Sequence, residues 1–275
     1  MEIERVSLEL GNRCDKACWF CYAGSDPSGE TRWTVDSALA FVRDCAANGV
    51  RAVSFGGGEP LQWPGLFELL RATASVPVGE GRVRLFRSFT TNGLLLDRHF
   101  DELVAAAPDK VHVSIHVNER AEVERVIEAV VRLSDAGVRS GVNLLVRRSK
   151  LEAAQATVGR LAEAGIGRDR VVFLPMRGMD SPSAAEVARV AGTAPNEPFM
   201  SMSCLAACAI SPRFCAVSWD WTVGWCSYTR ERRPLGAPSY AALREALYDL
   251  GLRFCGGSVE DPTVRLIGLR TRSPS

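Results

Sequence analysis

Gly11-Asn-Arg-Cys-Asp-Lys-Ala-Cys-Trp-Phe-Cys-Tyr22 gathers three thiols, Cys14, Cys18 and Cys21, in a single short stretch. Their spacing is C-x3-C-x2-C. Three thiolates from one loop can hold three corners of a cubane iron–sulfur cluster. No fourth cysteine lies nearby, so one iron is left open, and an open iron can bind and reduce a substrate as well as carry an electron. Zinc sites prefer C-x2-C knuckles with a matching second pair, which this sequence does not have. The cysteine count of nine is odd, and the chain begins Met-Glu-Ile-Glu and runs straight into a strand pattern with no export signal. Both facts argue against disulfides.

Outward from this stretch, strand and helix patterns alternate. Strand-like runs cover 5–10, 51–55, 83–90, 110–117, 139–147 and 170–174. Helical periodicity appears over 34–48, with Val35, Ala38, Leu39, Val42 and Cys45 on one face and Gly49 as a stop. It recurs over 119–136, stopped by Gly137, and over 150–164. Cys45, on an apolar helix face, reads as core packing. Six strand–helix alternations imply a parallel sheet with helical crossovers. The chain of 275 residues is too short for a full eight-unit barrel plus a tail. The expected fold is therefore α/β, a partial (β/α)6 TIM-like barrel at 1–176, with a linker at 177–200 and a small cysteine-rich α+β extension at 201–275. Active sites of such folds lie at the carboxyl ends of the strands. The stretches 11–22, 56–60, 90–93 and 114–116 all fall there.

Composition excludes several classes. A hydrophobic content of 47% and a mean hydropathy of +0.01 describe a soluble globular chain. The net charge of +1 gives no bulk electrostatic case for nucleic acid or a membrane surface. Lys16, Lys110 and Lys150 are the only lysines, an imbalance with arginine that reads as coding bias. Apolar stretches fall short of a membrane span. A reducing cytoplasmic setting suits free thiols and an oxygen-sensitive cluster.

The cysteine run, with Phe20 before its last thiol and Tyr22 after it, resembles the signature of the radical S-adenosylmethionine (radical SAM) family. Gly56-Gly-Gly-Glu-Pro60, following Ala52-Val-Ser-Phe55, resembles the family's glycine-rich loop for the SAM amino group. Gly56, Gly57 and Gly58 would let backbone approach the ligand, and Glu59 could accept from its ammonium. Thr90-Thr-Asn-Gly93, containing Thr91 and Asn92, is similar to a Thr-Asn-Gly turn in relatives. In Val113-Ser-Ile-His116, Ser114 matches a ribose contact, whereas His116 stands where relatives commonly carry Asp, and its role is open. Val142-Asn-Leu-Leu-Val146 resembles the fifth strand, whose Asn143 would reach SAM. Val171-Val-Phe-Leu-Pro175 resembles the sixth, with Leu174 flanking the adenine. Arg147 is a candidate partner for the SAM carboxylate, or else a solvated strand end with Arg148. The resemblance spans about 3–176. It implies a [4Fe–4S] cluster, SAM as cofactor, and reductive cleavage to a 5′-deoxyadenosyl radical that takes hydrogen from a substrate. It also implies a reductant such as flavodoxin or ferredoxin.

The last quarter carries Cys204, Cys208, Cys215, Cys226 and Cys255. Phe214-Cys-Ala-Val-Ser-Trp-Asp-Trp-Thr-Val-Gly-Trp-Cys226 reads as a hairpin with a thiol at each outer end. It resembles the start of a SPASM or twitch auxiliary-cluster domain, although Trp221 occupies the place of the turn glycine. Cys215 and Cys226, with Cys255 and Cys204 or Cys208, could complete a second four-thiolate cluster. Inert buried thiols in a substrate-capping flap, or a structural zinc, are the other readings. The resemblance points to maturation of a ribosomal peptide. The alternative is a small-molecule dehydrogenase, epimerase or mutase in antibiotic or cofactor biosynthesis. The barrel pattern begins at about residue 3, so any leader peptide is expected to be bound by a separate protein. His99 and His112 read as structural.

Overall fold

The computed structural model of the chain describes residues 2–192 and 213–252. Strands β1 (Arg5–Gly11), β2 (Ala52–Gly57), β3 (Phe86–Thr91), β4 (Lys110–Ile115), β5 (Ser140–Val146) and β6 (Val171–Pro175) pair side by side in chain order, all in parallel. Each is followed by a helix: α1 (Val35–Ala47), α2 (Leu66–Ala72), α3 (Leu96–Ala106), α4 (Arg120–Asp135), α5 (Leu151–Glu163) and α6 (Ala184–Ala191). Crossovers between parallel strands are right-handed, so an order that never reverses puts every helix on one face. A doubly wound sheet requires a reversal of strand order. The sheet here curls around its uncovered face, and the expected partial (β/α)6 barrel is what forms. Among the described residues no helix is long and apolar enough to cross a membrane.

Local sequence explains the boundaries. Thr34 caps α1, with Ser37 returning the bond to the cap backbone. Gly49 and Gly137, at φ +96 and +79, take the left-handed turns that end α1 and α4. Along β4, Val111, Val113 and Ile115 are fully buried and join one apolar cluster with Val123, Val126 and Val130 of α4. Each such side chain contributes about 1.5–3 kcal/mol when buried. The alternate residues face inward. Ser7, Ser54 and Ser88 stand in register across β1, β2 and β3. Closed barrels fill this interior with branched apolar side chains; small hydroxyls leave it open.

The expected hairpin is present as β7 (Phe214–Val217) and β8 (Thr222–Gly224), followed by β9 (Arg233–Pro234) and α7 (Tyr240–Leu247). It continues the barrel's own sheet, because β7 pairs in parallel with the free side of β1, Cys215 opposite Val6. Trp221 sits at the turn with φ +65, a conformation that suits glycine. Its ring stacks 5.3 Å from Trp33, with the Arg32 guanidinium 5.2 Å over its face. These contacts hold the strained position.

Candidate cluster and cofactor site

The carboxyl ends of the strands surround a cavity of about 420 Å³. Cys14, Cys18, Cys21, Tyr22, Gly56, Gly57, Gly58, Glu59, Thr91, Asn92, Ser114, His116, Asn143 and Leu174 all line it. Six segments separated in sequence thus present the expected residues to one space.

The cysteine loop is a run of tight turns, with backbone N–H groups of Ala17, Cys21 and Gly24 donating to the carbonyls of Cys14, Cys18 and Cys21. It is fastened to the glycine-rich turn. Gly58 N donates to Gly11 O at 2.7 Å and Glu59 N to Arg13 O at 2.8 Å. A Cβ on Gly58 would lie 2.0 Å from Arg13 O, and one on Gly57 2.3 Å from Gly11 O. These two glycines therefore admit the cysteine loop, where the sequence suggested that they admit a ligand. A Cβ on Gly56 would meet nothing within 4 Å, so Gly56 is the glycine that borders open space.

Glu59 is buried, and its carboxylate accepts from Leu61 N at 3.1 Å, Thr91 Oγ1 at 2.7 Å and Asn92 N at 2.8 Å. Burial raises its pKa against those bonds. Of the roughly four lone-pair positions of a carboxylate, one remains for a ligand. Its first task is to fix the Thr91–Asn92 turn, from which Asn92 Nδ2 reaches Cys14 Sγ at 3.6 Å. Burial pushes the Cys14 thiol up, with the Asn92 bond among the smaller opposing effects. Burial pushes Cys18 up to about 11 against the pull of Lys16. Thiols so desolvated ionise when a metal centre supplies the positive charge.

His116 lines the cavity, and His112 contacts Asn143, which lines it. His112 Nδ1 lies 2.7 Å from Asn143 Oδ1, and Asn143 Nδ2 is 3.3 Å from Thr90 Oγ1, so His112 orients Asn143. Burial drives the pKa of His112 down to about 4. His116 bonds Lys16, and its ring lies 5.9 Å from Phe20.

Two expectations meet a different geometry. Arg147 is not among the residues lining the cavity. Its Nε bonds Asp180 Oδ2 at 2.7 Å and its guanidinium covers Trp19 at 5.2 Å, so it braces the rim. Cys215, expected as an auxiliary ligand, is 0% exposed within the apolar core, close to Cys45, and burial raises both thiols. Among the described residues its side chain is enclosed by the apolar cluster that also holds Val6, Val217 and Cys45. Cys226 is half-buried and accepts from Tyr228 N at 3.4 Å. Cys204, Cys208 and Cys255 lie outside the described residues.

Sequence reasoning missed Lys16, Ser25, Trp19, Met176, Arg177, Asp180 and Tyr228, all in the cavity wall. Arg177, after β6, stacks 4.9 Å over Tyr228, after β8, and Tyr228 lies 4.8 Å from Tyr22. The two ends of the open sheet thus meet over the cysteine loop. No local pattern announces such contacts. Ser25 lines this space, and its buried hydroxyl has no protein partner among the described residues. Three thiols, an open glycine and an unpaired hydroxyl on one wall fit a cluster with a polar cofactor beside it.

Comparison with known proteins agrees. The profile of the radical SAM superfamily matches residues 8–179. The GTP 3′,8-cyclase of Chlorobaculum tepidum is 33% identical over 118 residues, covering 43% of this chain and 34% of that protein. The chain spans between 34% and 61% of the length of the first such relatives. The structure of Streptococcus suis SuiB bound to S-adenosylmethionine superposes with a TM-score of 0.63 at 15% identity, covering 82% of this chain and 60% of that one. Native anSMEcpe with bound AdoMet and the Cp18Cys peptide gives a TM-score of 0.63 at 16% identity, covering 89% and 82%. The chain belongs to the radical SAM superfamily, whose enzymes use a [4Fe–4S] cluster and SAM.

Proposed function

We propose that this radical SAM enzyme holds its [4Fe–4S] cluster on Cys14, Cys18 and Cys21 and binds SAM beside it. The observation that carries this is the convergence of the three thiols and the open face of Gly56 on one cavity at the strand ends. When bound, the cluster would be held by Cys14, Cys18 and Cys21 and would supply the electron for reductive cleavage of SAM. The chain's own residues bind, orient and exclude. Gly56 leaves room for the amino-acid end of SAM, and the free lone pair of Glu59 accepts from its ammonium. Ser114 and Asn143 supply polar contacts, and Leu174 an apolar one. Phe20, Leu145 and Met176 keep water from the reacting carbon. Arg177 and Tyr228 close the cavity above the cysteine loop.

For the substrate we infer a residue of a ribosomal peptide, presented at the cavity mouth. Trp19 and Met179 line that mouth at 61% and 67% exposure, an apolar rim suited to a chain larger than the cavity. A small-molecule substrate is the second reading, favoured by the identity with GTP 3′,8-cyclases. The test is anaerobic incubation of the reconstituted chain with SAM and dithionite, following 5′-deoxyadenosine. No product from a chain loaded with four irons overturns the proposal. Consumption of added GTP would select the second reading over the first.

A further inference from the structure

Lys16 stands between two cluster cysteines, yet its side chain turns away from them. Its Nζ lies 2.6 Å from Glu122 Oε1 and 2.8 Å from His116 Nδ1. Glu122 is buried, and its other oxygen accepts the backbone N–H groups of His116 at 2.9 Å and Val117 at 2.8 Å. Burial pushes its pKa up, but the bonds from Lys16 and the backbone outweigh it and hold the carboxyl ionised. Glu122 Oε1 at 2.6 Å accepts from Lys16, and a lysine ammonium has three N–H groups and no lone pair. At His116 Nδ1 it can only donate. The nitrogen that accepts carries no proton, so the neutral ring carries its proton on Nε2. His116 lines the cavity with its side chain 24% exposed, and with Nδ1 committed to Lys16 the Nε2 edge is what remains for a ligand.

We propose that Lys16 is a positioning residue that locks His116 in the Nε2–H tautomer, so that the ring presents a hydrogen-bond donor to an oxygen of the bound cofactor. Only the identity of the ligand rests on the SAM reading; the tautomer does not. His112 provides an internal contrast. The Asn143 oxygen facing it is an acceptor, so His112 must hold its proton on Nδ1.

The test uses the full chain without cluster, labelled with 15N-histidine. It contains three histidines, His99, His112 and His116, so long-range proton–nitrogen spectra are readily assigned. At pH 7 His116 is expected in the Nε2–H pattern and His112 in the opposite one. The wild-type spectrum decides this without any variant, and His116 as an Nδ1–H ring or an imidazolium overturns the proposal. Lys16→Arg is expected to keep the pattern, and Lys16→Met to replace it with averaging between tautomers. A folded Lys16→Met chain with an unchanged pattern also overturns it. The ligand role is read by equilibrium dialysis of SAM on the reconstituted chain. His116→Gln, which keeps a donor near Nε2, should bind within about threefold of wild type. His116→Leu should bind roughly tenfold more weakly, the worth of one hydrogen bond. Equal binding by His116→Leu overturns the donor role, whereas no SAM binding by wild type would fail the site reading and leave the tautomer standing.

Discussion

An alanine at position 58 tests whether the glycine-rich turn exists to receive the cysteine loop. Its Cβ would lie 2.0 Å from Arg13 O, 2.6 Å from Arg13 C and 2.8 Å from Arg13 N. Real Cβ contacts essentially never fall under 3.0 Å, so loop and turn must part by about 1 Å. The atoms struck are backbone and cannot swing aside. Parting them stretches two bonds, Gly58 N to Gly11 O and Glu59 N to Arg13 O. At about 1 kcal/mol each the loss is about 2 kcal/mol. That is a fall in Tm of roughly 4–8 °C for a chain of this size class. Thermal melts of the cluster-free protein read the fall, and iron bound after reconstitution reads the displaced thiols. Gly56→Ala is the paired control. Its Cβ meets nothing, so melting and iron content should match wild type, while SAM binding weakens because the methyl enters the cavity. Wild-type melting and iron loading by Gly58→Ala would refute the close approach. Wild-type SAM affinity in Gly56→Ala would refute the ligand-facing wall.

Other outcomes follow from the same geometry. Cys18→Ala should abolish iron loading and SAM cleavage while the circular-dichroism spectrum stays native, since backbone bonds hold the loop turns. Cys215→Ser should leave iron content unchanged but lower stability by about 1–3 kcal/mol in urea titration, because it buries a hydroxyl in an apolar core; a loss of iron would restore Cys215 as a ligand. His112, depressed to about 4 in the fold from its ordinary 6.5, contributes stability that is fully present above 6.5. That stability is lost as pH falls toward 4, because the unfolded chain takes up a proton the folded one refuses. Denaturation between pH 7 and 4 should therefore show wild type losing about 3 kcal/mol more than His112→Gln.

The barrel was legible because its signals are local. Expected helices at 34–48, 119–136 and 150–164 differ from α1, α4 and α5 by one residue at each end. Caps and terminal glycines are chemistry of one or two positions and survive reading without context. The alternation in Lys110-Val-His-Val-Ser-Ile likewise separates helix-facing from inward residues, which is how His116 could be placed at the mouth. The hairpin at 214–226 was also written locally, but its destination was not. Nothing in Phe214-Cys-Ala-Val says that it will lie beside β1 some two hundred residues earlier, where Cys215, one of the two thiols at the hairpin's ends, is buried in the core.

The site divides along the same line. Cys14, Cys18 and Cys21 form a ligand set within one loop, so spacing reveals them. Arg147 had the right type and the right strand end, yet a partner 33 residues away, Asp180, takes its guanidinium. A long charged side chain goes to whichever opposite charge it can reach, and a sequence does not rank those choices. Lys16 makes the point more strongly. It lies inside the most readable motif of the chain, but what it does is decided by Glu122, 106 residues on, and by His116. Glu122 in turn had the look of an ordinary first-turn acid on an amphipathic helix. It became a buried anion because the β4–α4 turn offers it two backbone donors, which offset much of the cost of taking a carboxylate out of water. The proton position on His116 is therefore set by three elements, the cysteine loop, the end of β4 and the start of α4. Displacing any one of them changes what the cavity wall can donate.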